Sequence, residues 1–250
     1  MSLIGLVLAL AACGGGGGET TTTTTTTETT TTTPGETTKL RVYFLLNGKV
    51  QPVAREVPKT QAVLTAALDQ LVSGPTTSER EYGLTSEAGP GCSVTSANVA
   101  ESTATIRLAG ECGRLGMAQV VYTATQFPTV RAVEIDGRRY TRADFDDETP
   151  IILVESPLPF EAVGNPLRAK GTANTFEATF QYEVVEPEGR IVDSTFVTAT
   201  SGSGQRGTFD FTTQPYEISR PGLGALVVFE LSAKDGSRIH LVEIPVQMDK

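Results

Sequence analysis

The second half of the chain has an apolar and polar pattern typical of β-strands. From Ile151 onward, short alternating runs are separated by Pro, Gly and Asp-Gly turns. Seven short strands within about 100 residues predict an antiparallel β-sandwich. Asp235-Gly236 predicts a tight hairpin between the last two strands. The predicted strands cover residues 151–155, 167–171, 176–185, 190–199, 208–213, 224–232 and 238–247.

The first half mixes strand and helix periodicities. Asn47-Gly48 is a strong hairpin signal between two β-rich runs. Apolar residues at helical spacing, followed by Gly or Pro, predict two helices. The order β-β-α-β-β-α-β, with hairpins rather than crossovers, predicts an α+β domain in which both helices cover one face of a small sheet. The predicted elements are a hairpin at 40–57, a helix at 60–72, a hairpin at 92–112, a helix at 117–127 and a strand at 130–135 that ends at Asp136-Gly137.

This arrangement leaves one face of the first strand without a cover. Tyr43 and Leu45 alternate with Phe44 and Leu46, so either set exposes a large apolar side chain. Exposed apolar patches commonly mark protein interfaces. We therefore expect self-association or partner binding through whichever of Tyr43 and Phe44 points outward.

The N-terminus is predicted to be a targeting segment. Residues 3–12 form an uncharged apolar run of signal-peptide length, too short to span a membrane. The string LAAC that ends in Cys13 resembles the lipobox of bacterial lipoproteins. That resemblance implies cleavage after residues 1–12, lipidation of Cys13, and a protein held on the outer face of the bacterial cell membrane. A basic segment expected before the apolar run is missing, so the true start could lie upstream of Met1.

Residues 13–38 contain fifteen threonines and a run of glycines. They include no apolar side chain beyond Cys13, so they cannot bury enough surface to offset the entropy cost of ordering. We expect a disordered tether that lifts the folded part off the membrane. Whether its threonines are glycosylated stays open.

With Cys13 assigned to lipid, two of the three cysteines remain. An even pair in an oxidising compartment predicts a disulfide between Cys92 and Cys112. The sequence between them alternates and turns near Glu101-Ser102, which places both cysteines at the open end of a hairpin. A reactive cysteine is the alternative, but His240 is the only histidine and lies in the other half.

Composition and local spacing argue against most kinds of binding or catalytic site. A net charge of −9 disfavours nucleic acid. The acidic run at 143–150 lacks the Gly and the spaced ligand of a calcium loop. The GxGxxG string at 202–207 precedes a strand instead of a helix, which favours a sandwich loop over a dinucleotide site. His240 is interpreted as a packed or rim side chain of a strand. We expect no catalytic, cofactor or metal site, and no enzyme.

Three strings in the first half carry a family resemblance, namely LVSGPTTSEREYGLTS at 71–86, STATIRL at 102–108 and AQVVYTATQFPTVRAVEIDG at 118–137. They resemble the GerMN domain of bacterial sporulation and spore-germination proteins. Residues 152–178 and 226–246 resemble the immunoglobulin-like domain found beside GerMN in spore-germination proteins. The resemblance implies compact modules without a known active site.

The interpretation is thus a GerMN-like α+β domain at 39–142, a linker at 143–150 and an immunoglobulin-like β-sandwich domain at 151–250. We expect a non-catalytic, lipid-anchored cell-envelope protein that acts through self-association or contact with an envelope protein. The alternative is a module that binds peptidoglycan or another surface polysaccharide, which would make a cell-wall glycan the partner.

Overall fold

A computed structural model describes residues 35–249 of the chain. They form a first module, residues 37–148, and a second module, residues 152–248. The first module contains β1 (Thr37–Leu46), β2 (Lys49–Pro58), α1 (Val63–Ser73), α2 (Thr77–Glu81), β3 (Cys92–Ala100), β4 (Thr103–Gly110), α3 (Arg114–Ala124), β5 (Ala132–Ile135), β6 (Arg138–Tyr140) and a 3-10 helix (Arg142–Glu148).

The first module has two sheets, so the single small sheet expected from the sequence is wrong. The β1-β2 hairpin forms a two-stranded sheet by itself, and β3, β4, β5 and β6 form a four-stranded sheet in that order. The Asp136-Gly137 turn does not end the domain's last strand but leads into β6. Residues 37 and 38, expected in the tether, belong to β1, because Thr37 and Thr38 pair with Pro58 and Val57 of β2.

Helix α3 replaces a third strand along the free edge of β1. Gln119 Nε2 donates to the carbonyl of Tyr43 at 3.1 Å, and the Tyr43 amide donates to Thr123 Oγ1 at 3.1 Å. The Arg41 amide donates to Gln126 Oε1 at 2.7 Å. Side chains of α3 and of the turn that follows it therefore satisfy backbone groups of β1 that would otherwise be unpaired. This is why the hairpin does not need to join the larger sheet.

The predicted turns are confirmed by backbone geometry. Asn47 and Gly48 both have positive φ, of 52° and 73°, and join β1 to β2 directly. Glu101 and Ser102 also both have positive φ and join β3 to β4. Two consecutive residues of positive φ form the turn whose twist matches that of paired strands.

The second module is a two-sheet sandwich, as the alternating pattern predicted. One sheet has the order β11-β10-β13-β14-β8 and the other has the order β12-β9-β7. A core of buried residues that includes Phe180, Phe209 and Ile244 fills the space between them. The strands are β7 (Ile152–Ser156), β8 (Ala162–Val163), β9 (Arg168–Ala173), β10 (Thr179–Val185), β11 (Ile191–Thr198), β12 (Gly207–Thr212), β13 (Gly222–Leu231) and β14 (Arg238–Met248).

The last hairpin turns more widely than expected. Leu231 pairs with Arg238, so the connection is the loop 232–237 and not a two-residue turn at Asp235-Gly236. Gly236 does adopt a positive φ of 71°, and its amide donates to the Ser232 carbonyl at 2.8 Å. The Asp-Gly signal marked the turn correctly, but a further backbone hydrogen bond from Ser232 to Ser237 closes the loop at its base.

Candidate interaction surfaces

The predicted lipidation site Cys13 lies outside the described residues, as does the tether up to residue 34. No helix within residues 35–249 is long and apolar enough to cross a membrane. In the same part of the chain, no group of three or more His, Cys, Asp or Glu side chains is placed to hold a metal ion.

Cys92 and Cys112 are joined by a disulfide, with Cα atoms 4.7 Å apart. Cys92 pairs with Gly110 across the hairpin, so Cys112 lies just beyond the paired strands. The bond connects the start of β3 to the segment that precedes α3. It therefore fixes the large sheet to the helix that supports β1.

The apolar patch expected at Tyr43 or Phe44 does not exist. Tyr43, Phe44 and Leu45 are all buried. Tyr43 packs against Tyr122 of α3, with ring centroids 5.3 Å apart. Phe44 lies beneath the guanidinium of Arg55, 5.2 Å from the ring centroid. Both faces of the hairpin are covered because it stands apart from the four-stranded sheet, which the one-sheet prediction did not allow.

Tyr43 instead takes part in a buried polar cluster between the two modules. Its hydroxyl donates to the carboxylate of Glu155 in β7. Arg142, at the start of the 3-10 helix, donates to Glu155 Oε1 at 2.8 Å and to Thr125 Oγ1 at 2.8 Å. The guanidinium also lies 4.6 Å from the centroid of the Tyr122 ring. The charged pair of Arg142 and Glu155 is thus largely enclosed by protein, and it links the modules through residues far apart in sequence.

The environment of this cluster changes the acidity of its members. Burial opposes ionisation of Glu155, but the Arg142 guanidinium and the Tyr43 hydroxyl outweigh it and hold the pKa of the carboxyl below its ordinary value. Burial and the neighbouring Glu155 raise the pKa of the Tyr43 hydroxyl. The cluster is therefore an ion pair with a neutral tyrosine at neutral pH.

The expected polar linker is a structured part of the junction. Residues 142–148 form a 3-10 helix, and Phe145 is fully buried in the core of the first module. Asp146 accepts a hydrogen bond from Arg206 Nε at 2.5 Å and from Asn174 Nδ2 at 3.2 Å. The acidic run thus supplies an inter-module ion pair. The GxGxxG string lies in the loop between β11 and β12, as predicted, with its last glycine as the first residue of β12, and it carries Arg206.

An open cleft of about 520 Å³ lies between the β1-β2 hairpin and strand β14. Tyr82 lines it from the first module, where its hydroxyl donates to the Glu243 carbonyl at 3.1 Å. Its ring meets Phe160 edge to face at 5.3 Å. His240 lies beside a neighbouring pocket, in a bulge of β14 with a φ of 53° and a half-exposed side chain, which agrees with a rim position. Polar groups such as Lys49, Gln51 and Tyr82 give the cleft a mixed lining.

The five-stranded sheet has an apolar face that points away from the sandwich core. We call it the outer face and define it by Val185, Ile191, Phe196, Leu223, Ala225, Val227, Phe229 and Leu231. Its peripheral members are exposed, with 66% for Phe196, 51% for Leu223, 47% for Ile191 and 42% for Leu231. Ala225, Val227 and Phe229 form a buried cluster at its centre. Arg238 and Glu183 pair across this face at 2.6 Å, which neutralises both charges.

The sequence contains a signal for this face that the strand prediction did not use. In β13 both alternating sets of residues are apolar, since Leu226 and Val228 point into the core while Val227 and Phe229 point outward. A strand that is apolar on both sides is expected when both faces of a sheet are covered. Only one face of this sheet is covered by the other sheet of the sandwich.

Comparisons with known proteins agree with the two modules. Residues 41–141 match a family model described as sporulation and spore germination. Residues 151–237 match a model described as the immunoglobulin-like domain of bacterial spore germination. Together these matches support a protein of the spore-germination type. The two matched domains follow each other in the order expected from the sequence, and neither family has a known catalytic activity.

Two solved structures show similarity to this chain. The tandem GerMN domains of the sporulation protein GerM from Bacillus subtilis align with 71% of this chain at 16% identity and a TM-score of 0.35. The chain spans 61% of that structure's length. The first GerMN domain of the same protein aligns with 41% of this chain and 86% of its own length, at 22% identity and a TM-score of 0.32. No curated protein matches the sequence significantly.

Proposed function

We propose that this protein is a non-catalytic, lipid-anchored component of the cell envelope that acts in a sporulation or germination process by binding another protein. The observation that carries the proposal is the apolar outer face of the second module, whose peripheral side chains, such as Phe196, Leu223 and Leu231, are exposed. Large apolar patches on a folded domain mark interaction sites. The rigid junction would hold this face in a fixed orientation relative to the first module.

The binding step is tested by photo-crosslinking in cells that produce the full chain. A photoreactive side chain at Leu223 or Leu231 should give discrete protein adducts. The matched control is the same group at Thr208, an exposed residue of β12 in the other sheet. Adding Glu at the face position that does not carry the crosslinker should remove the adducts. Equal adducts from Thr208, or none from either face position, would contradict the proposal.

The anchoring step has a separate test. Because acylation of Cys13 is the proposed attachment, Cys13→Ala should leave the N-terminal segment uncleaved and the protein without lipid. Intact mass and detergent partitioning report both effects. An unchanged mature mass and an unchanged partitioning in the variant would rule out the lipobox.

The inter-module cleft favours a second candidate function, binding of a cell-wall glycan. A concave site with apolar and a few polar side chains, which here includes the partly buried ring of Tyr82, is a general feature of ligand pockets. Under this alternative, the full chain should sediment with purified cell wall, and Tyr82→Ala should abolish that sedimentation. Leu223→Glu should leave it unchanged, because the outer face is not part of the cleft. Sedimentation that Tyr82→Ala does not reduce would exclude the cleft as the glycan site.

A further inference from the structure

Strand β11 forms the free edge of the five-stranded sheet. It pairs with β10 on one side, and in the described part of the chain no strand pairs with its other side. The opposite edge of the same sheet is protected, because it ends in β8, which has only two residues. A strand edge presents a row of unpaired amides and carbonyls that can pair with another chain.

The hydrogen bonds at the end of β11 show which of its residues direct their backbone amide and carbonyl toward the free edge. The Ala199 amide donates to the Ala178 carbonyl at 2.8 Å, next to the start of β10. The backbone groups of Ala199 therefore point toward β10 and away from the free edge. Backbone groups alternate along an antiparallel strand, and Ser194, Phe196 and Thr198 therefore direct theirs away from β10. The Thr200 amide has the same outward direction and donates to Thr208 of β12 at 2.9 Å. Within residues 35–249, the backbone groups on this edge gain hydrogen-bond partners only beyond residue 198.

This edge lacks the features that normally block pairing. Proteins protect edges with Lys, Pro or charged side chains, and residues 191–198 read IVDSTFVT. Their only charge, Asp193, accepts hydrogen bonds from Tyr182 Oη at 2.6 Å and from the Gln214 amide at 3.1 Å. Its carboxylate is therefore engaged within its own module. Although the whole chain carries a net charge of −9, the edge presents no repulsive charge to an identical edge.

We propose that β11 pairs with the β11 of a second copy of this chain, in antiparallel register about a twofold axis at Phe196. In this register, Ser194 of each copy lies opposite Thr198 of the other copy. Phe196 of one copy lies opposite Phe196 of the other. Three such pairs exchange about six backbone hydrogen bonds. The two exposed Phe196 rings of the dimer become adjacent on the outer face. Twofold pairing closes the contact, so it yields a dimer and not a filament.

This inference deepens the proposed function and rests on it, because Phe196 belongs to the outer face and the dimer joins two outer faces into one surface. A contact of one strand edge belongs to the small, weak class of interfaces. Anchoring at a membrane would raise the local concentration and favour it.

Cysteine crosslinking tests the register. The full chain carrying Cys13→Ala retains only the paired Cys92 and Cys112. In this background, Phe196→Cys places two thiols on residues whose Cα atoms would lie about 5.5 Å apart, within the range of a disulfide. Mild oxidation should give a covalent dimer. The neighbouring Thr195→Cys is the control, because its copies would lie diagonally across the pair at about 8 Å and should not crosslink.

Proline substitution tests the backbone pairing. Ser194→Pro removes an outward amide while leaving the inward hydrogen bonds to β10, a position that an edge strand tolerates. It should abolish the dimer in sedimentation measured at rising concentration, whereas Ser194→Ala should retain it. A Phe196→Cys dimer that persists in the Ser194→Pro background, or equal crosslinking at Thr195→Cys, would overturn the proposal.

The outcomes separate this inference from the proposed function. A monomer at every concentration that still gives photo-crosslinks at Leu231 to another protein would refute the pairing and retain the outer face as a binding surface. A Phe196→Cys adduct with a different protein would likewise refute the second copy as the occupant. A dimer that survives Glu at both Leu223 and Leu231, with no adducts to other proteins, would retain the pairing and refute binding of a different protein at the face.

Discussion

At the residue scale, Glu155 is the junction residue whose substitution should lower the free energy of unfolding most. Glu155→Gln keeps the shape of the side chain but leaves the buried Arg142 guanidinium without its counter-charge. Removing one partner of a buried ion pair costs about 3 kcal/mol. We expect a decrease of that order in the free energy of unfolding, measured by urea denaturation.

The control for this substitution is an ion pair of the same chemistry on the surface. Arg168 and Asp210 are 2.7 Å apart, but their side chains are 60% and 45% exposed. Asp210→Asn should therefore lower the free energy of unfolding far less than Glu155→Gln does, because solvent screens an exposed ion pair. Equal losses for Glu155→Gln and Asp210→Asn would contradict the assignment of the junction pair as an enclosed one.

The same residue predicts how stability depends on pH. Glu155 has a pKa below its ordinary value of 4.5 in the folded protein. Its contribution is fully present above that ordinary value and is lost as the pH falls through the lowered folded pKa. The free energy of unfolding should therefore fall with acidification in this window, and by less in Glu155→Gln. Parallel pH curves for the two proteins would show that Glu155 does not contribute.

At the element scale, α3 supports β1 through side chains instead of through a strand. Gln119 is fully buried and also accepts hydrogen bonds from the amides of Glu87 and Ala88, at 2.8 and 3.2 Å. One side chain thus holds β1 and the loop after α2 on the same helix. The local pattern of α3 shows a buried helix but does not reveal that Gln119 and Thr123 replace strand partners.

Replacing Gln119 by Met should preserve volume and remove these hydrogen bonds. Buried backbone groups left without partners cost about 2 kcal/mol. We expect a loss of that order in thermal or urea unfolding, together with faster amide exchange at Glu87 and Ala88. The exposed Gln61→Met should change stability by less than about 0.5 kcal/mol. Protection of the two amides that is unchanged in Gln119→Met would be inconsistent with this role.

At the scale of the whole molecule, the two modules are joined more tightly than their sequence indicates. Leu153 of β7 is buried in the core cluster of the first module. Arg41 Nη1 also donates to the Glu155 carbonyl at 3.2 Å. Taken alone, a polar linker with few apolar residues predicts a modest contact and two halves that fold independently. The junction now gives the opposite expectation.

We therefore predict that the full chain unfolds in one cooperative transition. Calorimetry should give equal calorimetric and van't Hoff enthalpies, because loss of either module exposes Leu153 and the Arg142–Glu155 pair. Residues 149–250 expressed alone should be less stable than the same segment within the full chain. Two resolved transitions, with the isolated segment as stable as in the whole, would restore the view of independent halves.

The sequence by itself determined most of the elements. Apolar periodicity and turn residues act within a few positions of each other, so they specified the Asn47-Gly48 hairpin, the helices and the strands of the sandwich to within a few residues. Cysteine number and spacing were enough to pair Cys92 with Cys112. Motifs distributed along each half also indicated the two domains.

Only the tertiary structure decided which surfaces are covered. The separation of the β1-β2 hairpin, the burial of Tyr43 and the role of Asp146 depend on contacts between residues about 60 to 110 positions apart, such as Asp146 with Arg206 and Tyr43 with Glu155. No local period encodes such contacts, because the same alternation serves a strand covered on one face or on both. For this reason the predicted interface lay on residues that the fold buries, while the exposure of the outer face and the free edge of β11 became visible only in the folded chain.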